Sequence, residues 1–322
     1  MRAELAALAL TAALLPAAAQ VPQVLAEGVW LLPGRFERGR QPDANSLLLQ
    51  GPDGLLVLDS GRHIEHAQAI ETWVRGRGAP LRAVLNTHWH LDHVGGNAVL
   101  RQGRPELRTL GSRALGVAVE RTMAASEIEL KALRARSDTD AGTRRMVDVD
   151  LGLYAVRASF TPDEVIEGAL QERTLVGRRV RIGIDRGPTQ GDLWLLDPAS
   201  GTLAVGDFIT LPVPFLDTAC APQWQQALGR LEALPFERVV PGHGPVLDRD
   251  GFRRWRQAFD RLLACAGSGR AASACADDWA TDLGPLLAAE DRPRVAPMLA
   301  YYIGEHLRAT PAQRDRFCSG PG

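Results

Sequence analysis

Residues 85–97 read LNTHWHLDHVGGN. Three histidines and an aspartate (His88, His90, Asp92 and His93) fall within six positions, and Gly95 and Gly96 follow almost at once. Neutral imidazole nitrogens and a carboxylate are borderline donors that suit Zn²⁺. The order H-x-H-x-D-H does not line one face of a helix. At the end of a strand, where the chain turns into a loop, it lets the four side chains enter one small volume from different sides. The two glycines permit close backbone approach before a helix begins. A solvated histidine-rich loop is the plain alternative, and four donors in this order favour a metal site.

Working outward, the cluster begins where a strand ends. "LRAVLNTH" (81–88) reads as that strand, preceded by a polar helix near 63–76. Earlier strands are expected at "GVWLLPG" (28–34), "NSLLLQG" (45–51) and "GLLVLDSG" (54–61), the last two joined by a "GPDG" hairpin turn. Residues 114–136 carry helical composition without a strand signal and read as part of a helical insertion over about 114–150. From 151 to 207 strands return in "TLVGRRVRIGID", "DLWLLDP" and "TLAVGD". A helix near 222–234, the strand "FERVVPGHG" (236–244) and a helical stretch to the end complete the chain. The two β-then-α halves are consistent with a duplicated sandwich.

The motifs resemble those of the metallo-β-lactamase superfamily, with His88, His90, Asp92 and His93 matching its H-x-H-x-D-H signature over a span of roughly residues 28–247. The resemblance implies an α/β fold, an αββα four-layer sandwich, here with a C-terminal helical extension. Further members of the pattern follow in order. Asp59 in "LDSG" matches the acidic residue that supports the metal site. Asp207 in "VGDF" matches the carboxylate that bridges two metals, and His243 in "VVPGHG" matches the last ligand. Taken alone, Asp207 reads as a turn residue and His243 as a structural histidine in a rigid turn; their order along the chain makes them ligands.

One departure matters. The family has a histidine in an H-T-x-G-D segment between these motifs, whereas this chain reads "RGPTQGDLWLLD" and puts Pro188 at that place. No histidine lies between His93 and His243. Counting donors leaves Asp92, His93, His243 and Asp207 for one metal position. His88, His90 and a shared Asp207 remain for the other, one short of the usual set. The expectation is therefore one firmly bound Zn²⁺ on the Asp92 side, with the second weak, completed by water or absent.

The resemblance implies metal-assisted hydrolysis of an ester, lactone, thioester, amide or β-lactam bond of a small molecule, with Asp92 orienting the nucleophile or passing a proton to the leaving group. Substrate choice rests with the loops, above all the insertion and "ITLPVPFLDTAC" (209–220). A β-lactam is not the first expectation, because "FITLPVPFL" lacks the cation that many β-lactamases of the family use for the substrate carboxylate. An iron dioxygenase of this fold needs the position that Pro188 disrupts, and the diiron flavoprotein branch has a glutamate where His90 stands. A non-catalytic metal- or ligand-binding relative is the alternative of a different class. His63 and His66 read as exposed helix residues, His306 as surface or packing, and Trp89 as a pocket wall.

Composition narrows the partners. With 37 basic and 38 acidic residues in 322, a formal charge of -1 offers no global field for nucleic acid or anionic membrane. Lys131 is the only lysine, which excludes Schiff-base and P-loop chemistry elsewhere in the chain. "LAALALTAALLPAAA" after Arg2 predicts a signal peptide over 1–19 and a periplasmic or secreted protein, although Glu4 is unusual in such a leader. The catalytic domain is expected over 20–250 and the helical extension over 251–322, with no membrane span in the mature chain. Cys220, Cys265, Cys275 and Cys318 allow three pairings; Cys265 with Cys275 is preferred because both lie in the helical extension.

Overall fold

The computed structural model describes residues 21–37 and 39–319, so the expected signal peptide over 1–19 lies outside the described residues. One sheet contains β1 (Gln23–Ala26), β2 (Val29–Leu32), β3 (Ser46–Gly51), β4 (Gly54–Leu58), β5 (Leu81–Leu85), β6 (Arg108–Ser112) and β7 (Glu164–Ile166), adjacent in that order. It is antiparallel as far as β4 and parallel from β4 to β7. The second sheet contains β8 (Leu170–Leu175), β9 (Arg178–Asp185), β10 (Asp192–Asp197), β11 (Thr202–Thr210), β12 (Arg238–His243) and β13 (Leu247–Asp248) in unbroken spatial order. Only the β11–β12 pair in it is parallel.

The period of two along each strand decides the layers. In β3 and β4, Leu47, Leu49, Leu56 and Leu58 face the second sheet and meet Ile182, Leu193, Leu195, Ala204 and Val240. The intervening Leu48, Leu55 and Val57 point outward, against α1 (Ile64–Arg77) and α3 (Asn97–Arg101). A leucine run that shows no alternation is thus buried on both faces, each side chain contributing about 1.5–3 kcal/mol. The outer face of the second sheet is covered by α7 (Ala221–Glu232), α8 (Arg249–Gly267), α9 (Ala272–Leu283) and α10 (Arg292–Tyr302). This is the αββα sandwich with the C-terminal helices expected from the motifs.

Between β6 and β7 come α4 (Arg113–Val117), α5 (Met123–Ala135) and α6 (Ala141–Ala155), packed against α2 (Leu91–Val94) through Leu91, Val94, Met123 and Tyr154. The helical segment is longer than the sequence suggests, because strands do not return at 151. Val147, Asp150 and Tyr154 keep a helical repeat of buried positions past residue 151, and a short 3₁₀ turn carries the chain to Phe160. The brief strands β7 and β13 have no sequence signal of their own and form by pairing with β6 and β12.

Three buried tryptophans tie the helices to the end of β11. Trp224, Trp255 and Trp279 donate their indole N–H groups to the carbonyls of Phe208, Thr210 and Pro212 in turn. Alternate carbonyls on one edge of a strand that is leaving its sheet are thereby satisfied from three successive helices. Each such bond is worth about 1 kcal/mol, and its loss leaves a buried acceptor that costs about 1–3 kcal/mol. Cys265 pairs with Cys275 as preferred, and Cys220 pairs with Cys318 across 98 positions.

His63 and His66 correct an expectation, for both are buried. His63 Nδ1 sits 3.0 Å from Asp43 Oδ2, and His66 Nε2 lies 2.8 Å from Ser46 Oγ. The sequence there reads as a polar helix surface, but the loop before β3 folds over this end of α1 and covers both rings. Burial pushes His66 down to about 4 against the attraction of Asp43, with His63 and Arg35 also acting to lower it. Between its ordinary 6.5 and about 4 the unfolded chain binds a proton that the folded one refuses, so stability falls as pH falls through that window. Urea midpoints at pH 7 and pH 5 should show a wild-type loss larger than that of His66→Gln by roughly 2 kcal/mol. Equal losses would place the titration elsewhere.

Candidate metal centre

The site forms where β4, β5, β11 and β12 end or bend between the two sheets. β5 delivers Asn86 and Thr87, the chain turns through His88 and His90, and the single turn of α2 carries Asp92 and His93. Backbone bonds bind this loop to its neighbour: Ser60 N–H donates to the His93 carbonyl and Gly96 N–H to that of Gly61. Gly96 is required, since a Cβ there would lie 2.2 Å from the Ser60 carbonyl oxygen. Asn86, Asn97 and Ser60 complete a buried network beneath the loop.

All six expected donors converge. Asp207 lies in the middle and faces both groups: Oδ2 is 3.6 Å from His88 Nε2 and 4.0 Å from His90 Nδ1, while Oδ1 is 3.2 Å from His93 Nε2 and 3.6 Å from His243 Nε2. Asp92 Oδ2 is 3.0 Å from His243 Nε2 and 3.8 Å from His93 Nε2. The donors fall into two sets, His88 with His90 and Asp207, and Asp92 with His93 and His243.

Tautomers follow from the hydrogen bonds. Asp59, held at φ 60°, accepts from Thr87 N–H, from the Thr87 hydroxyl and from His93 Nδ1 at 2.7 Å. With its proton given to Asp59, Thr87 Oγ1 accepts from His88 Nδ1 at 3.0 Å. Both rings therefore turn Nε2 to the carboxylates, the nitrogen that a bound ion would take in place of a proton.

Whether a divalent ion fits is answered by the same atoms. His88 Nε2, His93 Nε2, His243 Nε2 and both Asp207 oxygens are buried without a hydrogen-bond partner. The 3.0 Å approach of His243 to Asp92 is an ion-pair distance without hydrogen-bond alignment. Buried polar atoms are rarely left so. Donors about 2.0–2.1 Å from a tetrahedral zinc ion stand roughly 3.4 Å apart, within the range seen here. Zinc fits both sets, and the Asp92 set has the fuller complement once Asp207 is counted.

Electrostatics without a cation show the same demand. Burial acts to lower His93, but the carboxylates of Asp207, Asp59 and Asp92 outweigh it and hold the ring well above its ordinary value. Burial acts to raise Asp92, yet His93 and His243 hold it well below the usual carboxylate range. Burial together with the neighbouring rings His93 and His90 drives His88 well down. Burial pushes Asp192 up to about 8, against opposing hydrogen bonds from Thr189.

Several residues at the site have no sequence signal. Asn45 crosses between the sheets: its N–H donates to the Gly242 carbonyl, and its amide donates to the carbonyls of Pro241 and Gly244, fixing the turn that bears His243. Arg62 Nη2 stands 3.7 Å from Asp92 Oδ1, and its Nη1 binds Asp150 of α6 and Gln41. Thr218 bonds His90 Nε2 at 2.9 Å and donates to the Pro188 carbonyl at 2.9 Å. These contacts join segments remote in sequence, and only Thr87, beside the motif, was within reach of a local reading. His306 is half-buried, 3.6 Å from Asp217, and Trp89 packs edge-on to His90.

Comparison with known proteins agrees with the geometry. A family model described as the metallo-beta-lactamase superfamily matches residues 39–243. A beta-lactamase domain protein from Burkholderia ambifaria superposes with a TM-score of 0.59 at 22% identity, covering 91% of each chain. A metallo-beta-lactamase from Pontibacter korlensis gives 0.56 at 19% identity, over 74% of this chain and 98% of its own. A hydroxyacylglutathione hydrolase from Thermosynechococcus vestitus is 54% identical over 35 residues, which span 11% of this chain and 14% of that protein.

Gly242 offers a local test, since a Cβ there would fall 2.0 Å from Asp207 Oδ1. Gly242→Ala should displace either the carboxylate or β12, lowering retained zinc per chain at least about tenfold after dialysis and costing about 1–3 kcal/mol of stability. Wild-type zinc content in a folded variant would contradict the assignment of Asp207.

Proposed function

The chain belongs to the metallo-beta-lactamase superfamily, and from that premise we propose that it is an exported zinc-dependent hydrolase of a small-molecule ester, thioester, lactone or amide. The observation that carries this reading is the set of orphaned buried donors, His88 Nε2, His93 Nε2, His243 Nε2 and both oxygens of Asp207, gathered at the mouth of the sandwich. A thioester is the first substrate class to try, supported by the short match to a hydroxyacylglutathione hydrolase. The two disulfides support export into an oxidising compartment.

In this reading His93, His243, Asp92 and Asp207 hold the firmly bound ion, and His88, His90 and Asp207 form the weaker position. Zinc, when bound, supplies a Lewis acid and brings the pKa of water towards neutrality. The protein's part is orientation and proton handling. Asp92 turns Oδ2 towards His93 and His243 and Oδ1 towards Arg62. One oxygen thus faces the cation position, while the other can take a proton from attacking water and return it to the leaving group. Asp59 and Thr87 keep His93 and His88 from rotating. Phe215, packed edge-on to His243, and Trp89 give the cleft apolar walls against which an acyl group can lie.

Protein purified without chelator should contain zinc and turn over at least one member of a panel of thioesters, esters, lactones and a cephalosporin. Asp92→Ala should lower kcat about 10²–10⁴-fold at unchanged fold. Bound zinc with no turnover of any substrate would favour a binding protein, and absence of zinc would sink the hydrolase reading.

A further inference from the structure

Two of the three imidazoles on the first loop take their outer partners from nearby structure, His88 from Thr87 and His93 from Asp59. His90 does not. Its partner is Thr218, 128 positions later, on the segment that leaves β11. Thr218 has a single hydroxyl proton, and the Pro188 carbonyl, which can only accept, receives it at 2.9 Å. The hydroxyl must therefore accept from His90, so His90 carries its proton on Nε2 and keeps the lone pair of Nδ1 facing Asp207.

We propose that Thr218 is the positioning residue for the His88, His90 and Asp207 half of the centre, and that the C-terminal helices serve to hold it there. The inference rests on the metal reading above and assigns work to a part of the chain beyond the family match, which ends at residue 243. It also gives Pro188 a part: where the family pattern has a ligating histidine, this chain supplies a backbone carbonyl that orders the threonine that orders His90.

The fastening is visible on both sides of Thr218. Before it, Trp255 of α8 and Trp279 of α9 donate to the carbonyls of Thr210 and Pro212. Beside it, Asp217 accepts from the Tyr302 hydroxyl of α10 at 2.9 Å and faces His306 at 3.6 Å. After it, Cys220 is bonded to Cys318, whose carbonyl also accepts from Arg186 and Gln223. Cys220 N–H donates to the Gly187 carbonyl, next to Pro188. Thr218 itself is half-buried; Leu216 and Ala219 on either side of it pack into the core formed with the C-terminal helices, and these covalent and polar ties add to that packing. His90 is the most exposed of the four metal-facing imidazoles and the one that most needs an outer partner.

The test follows two quantities in wild type, Thr218→Val, Thr218→Ser and Tyr302→Phe. One is the His90 tautomer in metal-free protein, from imidazole nitrogen shifts. The other is Zn²⁺ binding by calorimetry, with Co²⁺ absorption as a second view of each site. Wild type should show the Nε2–H tautomer and a tight phase followed by a weaker one. Thr218→Val should mix the tautomers and weaken the second phase about 10–100-fold while sparing the first. Thr218→Ser should restore both quantities, and Tyr302→Phe should shift them in the same direction by less. A Thr218→Val protein with wild-type tautomer and both phases intact overturns the proposal, as does a serine variant that behaves like valine. Wild-type protein that binds no zinc overturns the hydrolase reading instead; a His90 tautomer that still follows Thr218 upholds the positioning role.

Discussion

Both oxygens of the Asp207 carboxylate sit in the interior with no hydrogen-bond donor on either, surrounded by four imidazoles. A buried ionised group in that condition is costly unless something positive stands beside it. The fold does not relieve the cost with an arginine or a backbone amide on those oxygens. It turns ring nitrogens of His88, His90, His93 and His243 towards them, an arrangement that a bound cation would satisfy. The loop geometry, the hydrogen bonds that orient the rings and the glycines at points of closest approach all converge on that one volume.

Delivery of the donors depends on the two sheets meeting at one end. β4 and β5 run parallel, so Asp59 and the His88–His93 loop emerge side by side; β11 and β12 run parallel, so Asp207 and His243 do as well. Asn45 then joins the two halves by donating across the gap to the turn that bears His243. Strain is accepted where it serves this arrangement. Asp59 stands at φ 60°, a conformation costing of order 1 kcal/mol, and its carboxylate recovers three hydrogen bonds from the loop that it orders.

The helices after β13 belong to the same argument. They bury the outer face of the second sheet, and through Trp255, Trp279 and Tyr302, with Cys318 beyond them, they also hold the segment that packs on His90 and His243. A packing layer is thereby connected, hydrogen bond by hydrogen bond, to the orientation of one imidazole. The segment 209–220, singled out as a substrate-facing loop, carries Phe215 against His243 and Thr218 against His90.

His88, His90, Asp92 and His93 were legible in the sequence as candidate donors, because H-x-H-x-D-H is a local pattern whose residue types state their own chemistry; Asp207 and His243 were legible only through their order in the family pattern, and the tertiary structure brings the six together. Most of the principal strands were legible too, their leucine and valine runs bounded by glycine and aspartate turns, but β6 was not, and "TLVGRRVRIGID", read as one strand, turns at Val176 and Gly177 into the β8–β9 hairpin. The sequence did not reveal that His63 and His66 are buried, because burial there comes from the loop around Asp43 folding over α1, a contact between segments about 20 residues apart. Nor did it reveal the full extent of α6, which runs on to Ala155 with Val147, Asp150 and Tyr154 buried along one side. Asn45, Arg62, Thr218 and the Cys220–Cys318 bond were decided by the tertiary structure alone. Each acts by pairing one polar group or sulfur with a partner from 30 to 200 residues away, and such pairings leave no periodicity and no spacing in the chain, only proximity once it has folded.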